Sequence, residues 1–305
     1  MQPASQSISV SLVPSEPSLA PVLTLNPPAA PAGPTPARQV LAWMRATAPK
    51  LLSIAFSIGM FVALWYFATR YRWDFYIRFT NIPSPGEVLD NLSKLIHSDK
   101  FYNNMYISLR RILLGFGIAT VLGVTTGLLI GQYRAVRALL FPVLEVLRPI
   151  PAIAWVPMSI MLWPSNETSI VFITFLGSFF PILLNTIHGV ESVDPVLLRA
   201  GRCLGASESG LLRQVILPAA LPHVFTGLAI GMGVAWVSLI AAEMISGQFG
   251  IGYFTWEAYS LIQYADIAIG MIVIGVLGLA CSSGIRMLGN AMMPWVGGHA
   301  QGGKK

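Results

Sequence analysis

The chain has 305 residues, 54% of them hydrophobic and 10% charged, with a formal net charge of +6 and a mean hydropathy of +0.66. Average soluble domains carry about 25% charged residues, so a chain this poor in charge cannot present water-facing groups all round, and lipid must cover part of it. The basic balance suits a membrane surface or nucleic acid; no basic run interleaves with aromatic residues, which selects the membrane and excludes nucleic acid as a partner.

In chain order, the first stretch is a tail. Residues 1 to about 37 hold Pro14, Pro17, Pro21, Pro27, Pro28, Pro31, Pro34 and Pro36 among Ser and Ala. Proline at that density blocks helix and sheet alike, so a disordered, Pro/Ala-rich cytoplasmic tail is expected over residues 1–49. It lacks a basic start followed by an apolar stretch and does not read as a secretory signal. Residues 50–295 then form an all-α integral membrane domain, and 296–305 a C-terminal cytoplasmic tail.

Six apolar segments are predicted to span: 51–69, 112–130, 138–163, 169–187, 222–244 and 267–288. Each reaches roughly 28–39 Å as a helix, enough for a bilayer core of about 30 Å. The third holds Pro142, Pro149, Pro151 and Pro157, which kink or break it. With a cytoplasmic N-terminus, Arg38, Arg45, Lys50, Arg134, Arg137, Arg199, Arg202, Arg213, Lys304 and Lys305 lie inside, and loops 164–168 and 246–266 lie outside without Lys or Arg, as the positive-inside rule asks. Loop 70–111 breaks the rule, for it carries Arg70, Arg72, Arg78, Lys94, Lys100, Arg110 and Arg111 outside. Within it, Val88, Leu92, Leu95 and Ile96 recur at the spacing of an amphipathic surface helix. Gly123, Gly127 and Gly131, and again Gly227 and Gly231, repeat every four residues, the pattern of closely packed membrane helices. Trp65, Trp73, Trp163 and Trp295 suit an interfacial belt, and Arg286 suits a side chain snorkelling to the cytoplasm.

Few residues carry chemistry. Glu145 and Arg148 sit three apart on one helix face inside the third segment. Either they neutralise each other and fix a bent helix, or Arg148 lines an anion path; Pro149 and Pro151 would free backbone groups toward such a path. Glu243, near the outer end of the fifth segment, reads as a headgroup-level or loop-bonded carboxylate, with a role in an outer gate as the alternative. His188 reads as an interfacial polar residue. Cys203 and Cys281 are far apart and belong to no metal or disulfide pattern. No catalytic or metal-binding constellation is present, and no GxxxxGK[ST] phosphate loop.

The most informative stretch is 194–222, DPVLLRAGRCLGASESGLLRQVILPAALP. Leucines at 197, 198, 204, 211 and 212 give it an apolar face, Gly205-Ala206-Ser207 breaks the run, and Ser207 is placed to cap a second short helix. Leu217-Pro218 is expected to end that helix before the next span. The result is a helix, a turn and a helix lying across the inner membrane face, shaped to dock into another protein.

This pattern resembles the coupling loop of ATP-binding-cassette (ABC) import permeases: Glu-Ala-Ala, three residues, Gly, nine residues, a branched apolar residue, one residue, Leu-Pro. Ala200 and Gly205 match the first Ala and the Gly, Val215 the branched position, and Leu217-Pro218 the ending. Arg199 stands where Glu is usual, and Gly201 replaces the second Ala. The runs LGAS at 204–207, LPAALP at 217–222, LRPIPAIAWVP at 147–157, IPSPGEV at 82–88 and AAEMISGQFGIGYFTWEA at 241–258 are similar to the nitrate, sulfonate, taurine and bicarbonate branch. The resemblance covers about residues 50–295.

It implies a type I importer permease fold and a bacterial inner-membrane location. It also implies a second permease subunit forming a homodimer, two cytosolic ATPases, and an extracytoplasmic solute-binding protein. Arg199, Ala200, Gly201, Leu204, Gly205, Ala206, Ser207, Leu217 and Pro218 would couple to the ATPases, and Mg-ATP would bind those partners, this chain holding no cofactor. The solute would be a small anion. An ATP-independent secondary transporter or channel is the alternative; the chain shows no internal repeat and few intramembrane ionisable residues to favour it.

Overall fold

A computed structural model describes residues 36–71 and 81–295. The tail 1–35, Arg72, Trp73 and Arg78, and residues 296–305 lie outside the described residues. The chain divides into two units, 1–61 and 62–305. Among the described residues every element is helical.

Helix α1 runs Pro36–Arg70. Residues 36–49, assigned from sequence to the disordered tail, are therefore helical. No proline interrupts 37–48, and the stretch is rich in Ala, Gln, Arg, Leu and Met, all good helix formers. Proline at the first helical position costs nothing, since its missing N–H has no partner there anyway.

The second unit continues with α2 (Pro85–Leu95), α3 (Asp99–Gln132), α4 (Arg134–Leu147), a 3-10 turn (Ala152–Trp155), α5 (Val156–Leu162) and α6 (Asn166–Glu191). Then come α7 (Pro195–Cys203), α8 (Glu208–Leu211), a π turn (Leu212–Ile216), α9 (Leu217–Ser246), α10 (Ile251–Ser260) and α11 (Tyr264–Met292). Among the described residues five helices are long and apolar enough to cross a membrane, and a sixth crossing is available if α4 and residues 152–162 act as one span bent by 86°. Pro149 and Pro151 explain the bend, because neither has an N–H to continue the helical ladder past Arg148. Pro142 is carried inside α4, and Pro157 falls in the first turn of α5, so two of the four prolines break the segment and two do not.

Helix α6 is the hub: 56% of its apolar window is buried, against 11% for α11. Glycines make this possible. A Cβ on Gly115, Gly123, Gly127 or Gly131 of α3 would meet Thr174, Ile182, Thr186 or Val190 of α6, respectively. The offset is constant, so α3 and α6 run parallel. From α9, Gly227 faces Asn185 and Gly231 faces Ile182, while Gly177 of α6 faces Ser238; those partners run in opposite directions. Both glycine stripes read from the sequence therefore serve packing within the chain, letting backbones approach where dispersion drives association.

The parallel register decides the span count. If α3 and α6 start at the same membrane face, the chain must cross back between them. The bent pair α4–α5 makes that return, ending at Leu162 four residues before α6 begins. Six crossings follow.

Helix α2 opens on a capping box, Ser84 accepting from Glu87 N–H while the Glu87 carboxylate accepts from Ser84 N–H. Its apolar face does not lie on lipid headgroups. Val88, with Leu92 and Leu95 beside it, packs into a cluster with Phe101, Phe254 and Ile269.

Candidate functional site

Residues 194–216 build a capped helix–turn–helix element at the end of the bundle where α6 finishes and α9 starts. Asp194 Oδ1 accepts from Val196 N–H at 2.8 Å, and Pro195 takes the first helical position. Helix α7 closes on Gly205, whose φ of +81° is left-handed and suits glycine. Gly205 N–H donates to Arg202 O and Ala206 N–H to Gly201 O, both at 3.0 Å, the paired bonds of a Schellman motif. Ser207 Oγ then accepts from Gly210 N–H at 3.2 Å and caps α8 as expected.

The inner side of the element is apolar: Leu198, Leu212 and Val215 cover Val190, Val193, Ile216 and Ala220. Gly201 has a physical reason to replace alanine, since a Cβ there would stand 2.5 Å from Leu211 Cδ2, and Leu211 is buried. The outer side is bare. Leu204 is 88% exposed, and Val196 and Leu197 are also exposed, as are Arg199, Ala200 and Cys203. Arg202 Nε meets Glu208 Oε1 at 3.1 Å across the turn.

Leu217-Pro218 does not end the second helix, contrary to the sequence expectation. The chain stays helical from Glu208 to Ser246, because the π turn absorbs the proline. Leu217 N–H reaches back five residues to Leu212 O, so the ladder has already shifted where Pro218 has no N–H to give.

A groove of about 560 Å³ lies beside α6, between the α4–α5 bend and α9. Its walls include Arg148, Pro151, Asn185, His188, Val234 and Ser238. Pro149, Glu145 and Glu243, read from sequence as pathway residues, do not line it. Glu145 and Arg148 are both exposed, and no ion pair joins them among the described residues. Arg148 caps α4 in helical conformation, its N–H on Leu144 O at 3.0 Å, so the two share the last helical turn without pairing, and the prolines that follow make the bend, not mutual neutralisation.

At the opposite end a buried ionic cluster ties three helices to the 246–251 loop. Glu243 is 0% exposed and Arg111 2%, and Arg111 Nη1 donates to Glu243 Oε1 at 2.9 Å. Ser108 Oγ lies 2.8 and 2.9 Å from the two carboxylate oxygens, and Gly252 N–H donates to Oε2 at 2.9 Å. Arg111 also donates to Phe249 O at 2.7 Å and from Nε to Glu167 Oε2 at 3.1 Å, while Nη2 makes an ion pair with Glu167 Oε1. Asn104 Oδ1 accepts from Gly250 N–H at 3.1 Å. Gly250 has φ +116°, and a Cβ there would collide with the Glu243 carboxylate. Glu243 is thus loop-bonded and sealed in protein.

The binding-protein-dependent transport system inner membrane component family matches residues 119–296. The chain belongs to that family. This permease is 33% identical to the nitrate import permease protein of Synechocystis over 81% of its own length and 90% of the relative's. It is 34% identical to the taurine transport system permease protein of Escherichia coli over 71% of its length and 80% of the relative's. In fold it is similar to a bacterial ABC transporter involved in the import of the acidic polysaccharide alginate, with a TM-score of 0.58 at 12% identity, covering 84% of this chain and 96% of that one. It is an all-α, multi-pass inner-membrane permease subunit of an ABC importer; its relatives are transport subunits and not enzymes.

Sequence reading placed the residues expected to couple, Arg199 to Pro218, on one continuous element, and the structure keeps them on α7, the turn after it and the start of α9. It missed the ionic cluster. Arg111 and Arg110 read as loop cations that broke the positive-inside rule, yet they lie inside α3 and pair with Glu167, Arg110 at 3.5 Å. Lys100 pairs with Glu257 at 3.0 Å. The available signal was the intramembrane glutamate itself, since charge at that depth requires a partner.

Proposed function

We propose that this permease forms, as a homodimer, the membrane pathway of an ATP-driven importer for a small anion, of the nitrate, sulfonate/taurine or bicarbonate class. In this reading α7–α8 faces the cytoplasm, as does the N-terminus, and seats one of two cytosolic ATPases that carry Mg-ATP. The 246–251 loop and α2 face outward, where a solute-binding protein delivers the anion. The names of the relatives support the anion class, and the six-span count supports an N-terminus on the side of α7–α8.

The observation that carries the coupling role is the exposed apolar edge at Leu204, held beside a turn whose shape is fixed by Gly205. Leucine so bare at a capped helix end suits a cleft in a partner. Arg199, Ala200, Gly201, Ala206 and Ser207 frame that edge, and Leu217-Pro218 connects it to the span that the ATPase would move.

The test is ATP-driven uptake in proteoliposomes holding the permease, its ATPase and its binding protein. Left-handed backbone costs a non-glycine residue about 1–2 kcal/mol, and asparagine tolerates it better than β-branched residues do. Gly205→Val should leave the complex able to hydrolyse ATP but cut uptake at least tenfold, and Gly205→Asn should retain most of it. Wild-type uptake in Gly205→Val would refute the coupling role. Uptake that ignores ATP and collapses with an ion gradient would replace the importer reading with a secondary transporter.

A further inference from the structure

The groove beside α6 contains an arginine with no acceptor. A guanidinium at membrane depth is costly unless it meets water, an anion or a protein partner. The Arg148 guanidinium has no hydrogen-bond or ion-pair partner among the described residues, and the obvious one, Glu145, is not joined to it. Its side chain lines the 560 Å³ groove instead. The other cavity-lining polar groups carry no permanent charge: Asn185 gives its Nδ2 to Pro181 O at 2.8 Å, and the His188 ring stands 3.9 Å from Glu191. The rest of the wall is mainly apolar, with Ile150, Leu176, Phe180 and Val234 among its residues. A lone cation on a low-dielectric wall focuses its field into the groove. Arg148 caps α4, its N–H on Leu144 O at 3.0 Å, directly before Pro149.

We infer that Arg148 is the charge-selecting residue of the pathway, attracting an oxyanion into the groove beside α6 and turning cations away. This rests on the proposed import function and takes the groove beside α6 to be part of its pathway. It gives an anion permease a selecting group of its own, separate from whatever selection its binding protein exercises. The guanidinium's planar fork matches the geometry of nitrate, sulfonate or bicarbonate oxygens.

The test needs no knowledge of the solute. In a chain with Cys203→Ser and Cys281→Ala, Val234→Cys places a reporter thiol on the groove wall. Its modification rate is measured in native membrane vesicles with an anionic and a cationic methanethiosulfonate of similar size. A nearby unpaired charge changes each rate by about tenfold, in opposite directions. With Arg148 present the anionic reagent should react faster, relative to the same pair on a free thiol. Arg148→Lys should keep that preference, Arg148→Gln should abolish it, and Arg148→Glu should reverse it.

Salt gives a check that does not depend on the Arg148 substitutions folding. Raising ionic strength from 0.1 to 1 M shortens the Debye length from about 10 to 3 Å and should collapse the preference in the Arg148 background. No preference in that background, or one that survives Arg148→Gln, overturns the inference while leaving the groove accessible. A reporter that neither reagent reaches overturns the pathway reading itself, and the inference with it.

Discussion

Replacing Arg111 by methionine removes the cation that Glu243 depends on. Glu243 would keep Ser108 Oγ and Gly252 N–H as donors but would sit fully buried with no positive charge beside it. Breaking one side of a buried ion pair costs about 3–5 kcal/mol, chiefly through the charge left behind. Glu167 adds little, because its side chain is 45% exposed and water can take over from Arg111. At about 2–4 °C per kcal/mol for a chain of this size, Arg111→Met should lower the apparent unfolding temperature by about 10 °C. The readout is loss of the monodisperse peak after heating purified protein in mild detergent.

The reverse change is milder. Glu243→Gln leaves Arg111 paired with Glu167 and bonded to Phe249 O, so about 1–3 kcal/mol is expected, the range for disturbing a buried hydrogen-bonding group. The double variant strips both charges from the core and should be more stable than the sum of the singles by about 2 kcal/mol. The loop gives a second readout, because Phe249 O loses its donor and residues 246–251 should become open to proteolysis in Arg111→Met. An unfolding temperature within 2 °C of wild type, on the order of 1 kcal/mol or less, would refute the reasoning. So would a double variant equal to the sum.

Helix packing makes a sharper local forecast. A Cβ on Gly127 would lie 2.7 Å from Thr186 Cβ and 3.0 Å from Leu183 O, while none of these obstacles exists around Gly117. Gly127→Ala should therefore destabilise by about 1–3 kcal/mol through overpacking, and Gly117→Ala should be neutral or slightly stabilising, compared by the same heating assay. The Arg202–Glu208 pair is solvent-exposed on both sides, so Arg202→Ala should change stability by less than about 1 kcal/mol and leave ATP-driven uptake near wild type.

The sequence determined the membrane class, five of the six spans as continuous helices, and the place of the 194–218 element. These rest on local quantities: apolar length, proline spacing, cap residues, and a glycine at the left-handed turn position. Tertiary structure decided the rest. The crossing by α4–α5 follows from α3 and α6 running parallel, a fact about register between segments that no single segment carries. Arg111 and Glu243 are 132 positions apart and meet only because glycine stripes on α3 and α9 press both helices onto α6. Arg148 and Glu145 show the converse. Their spacing promised a helical pair, and both do lie on the last turn of α4, but the groove formed by distant α6 and α9 gives the arginine somewhere else to point.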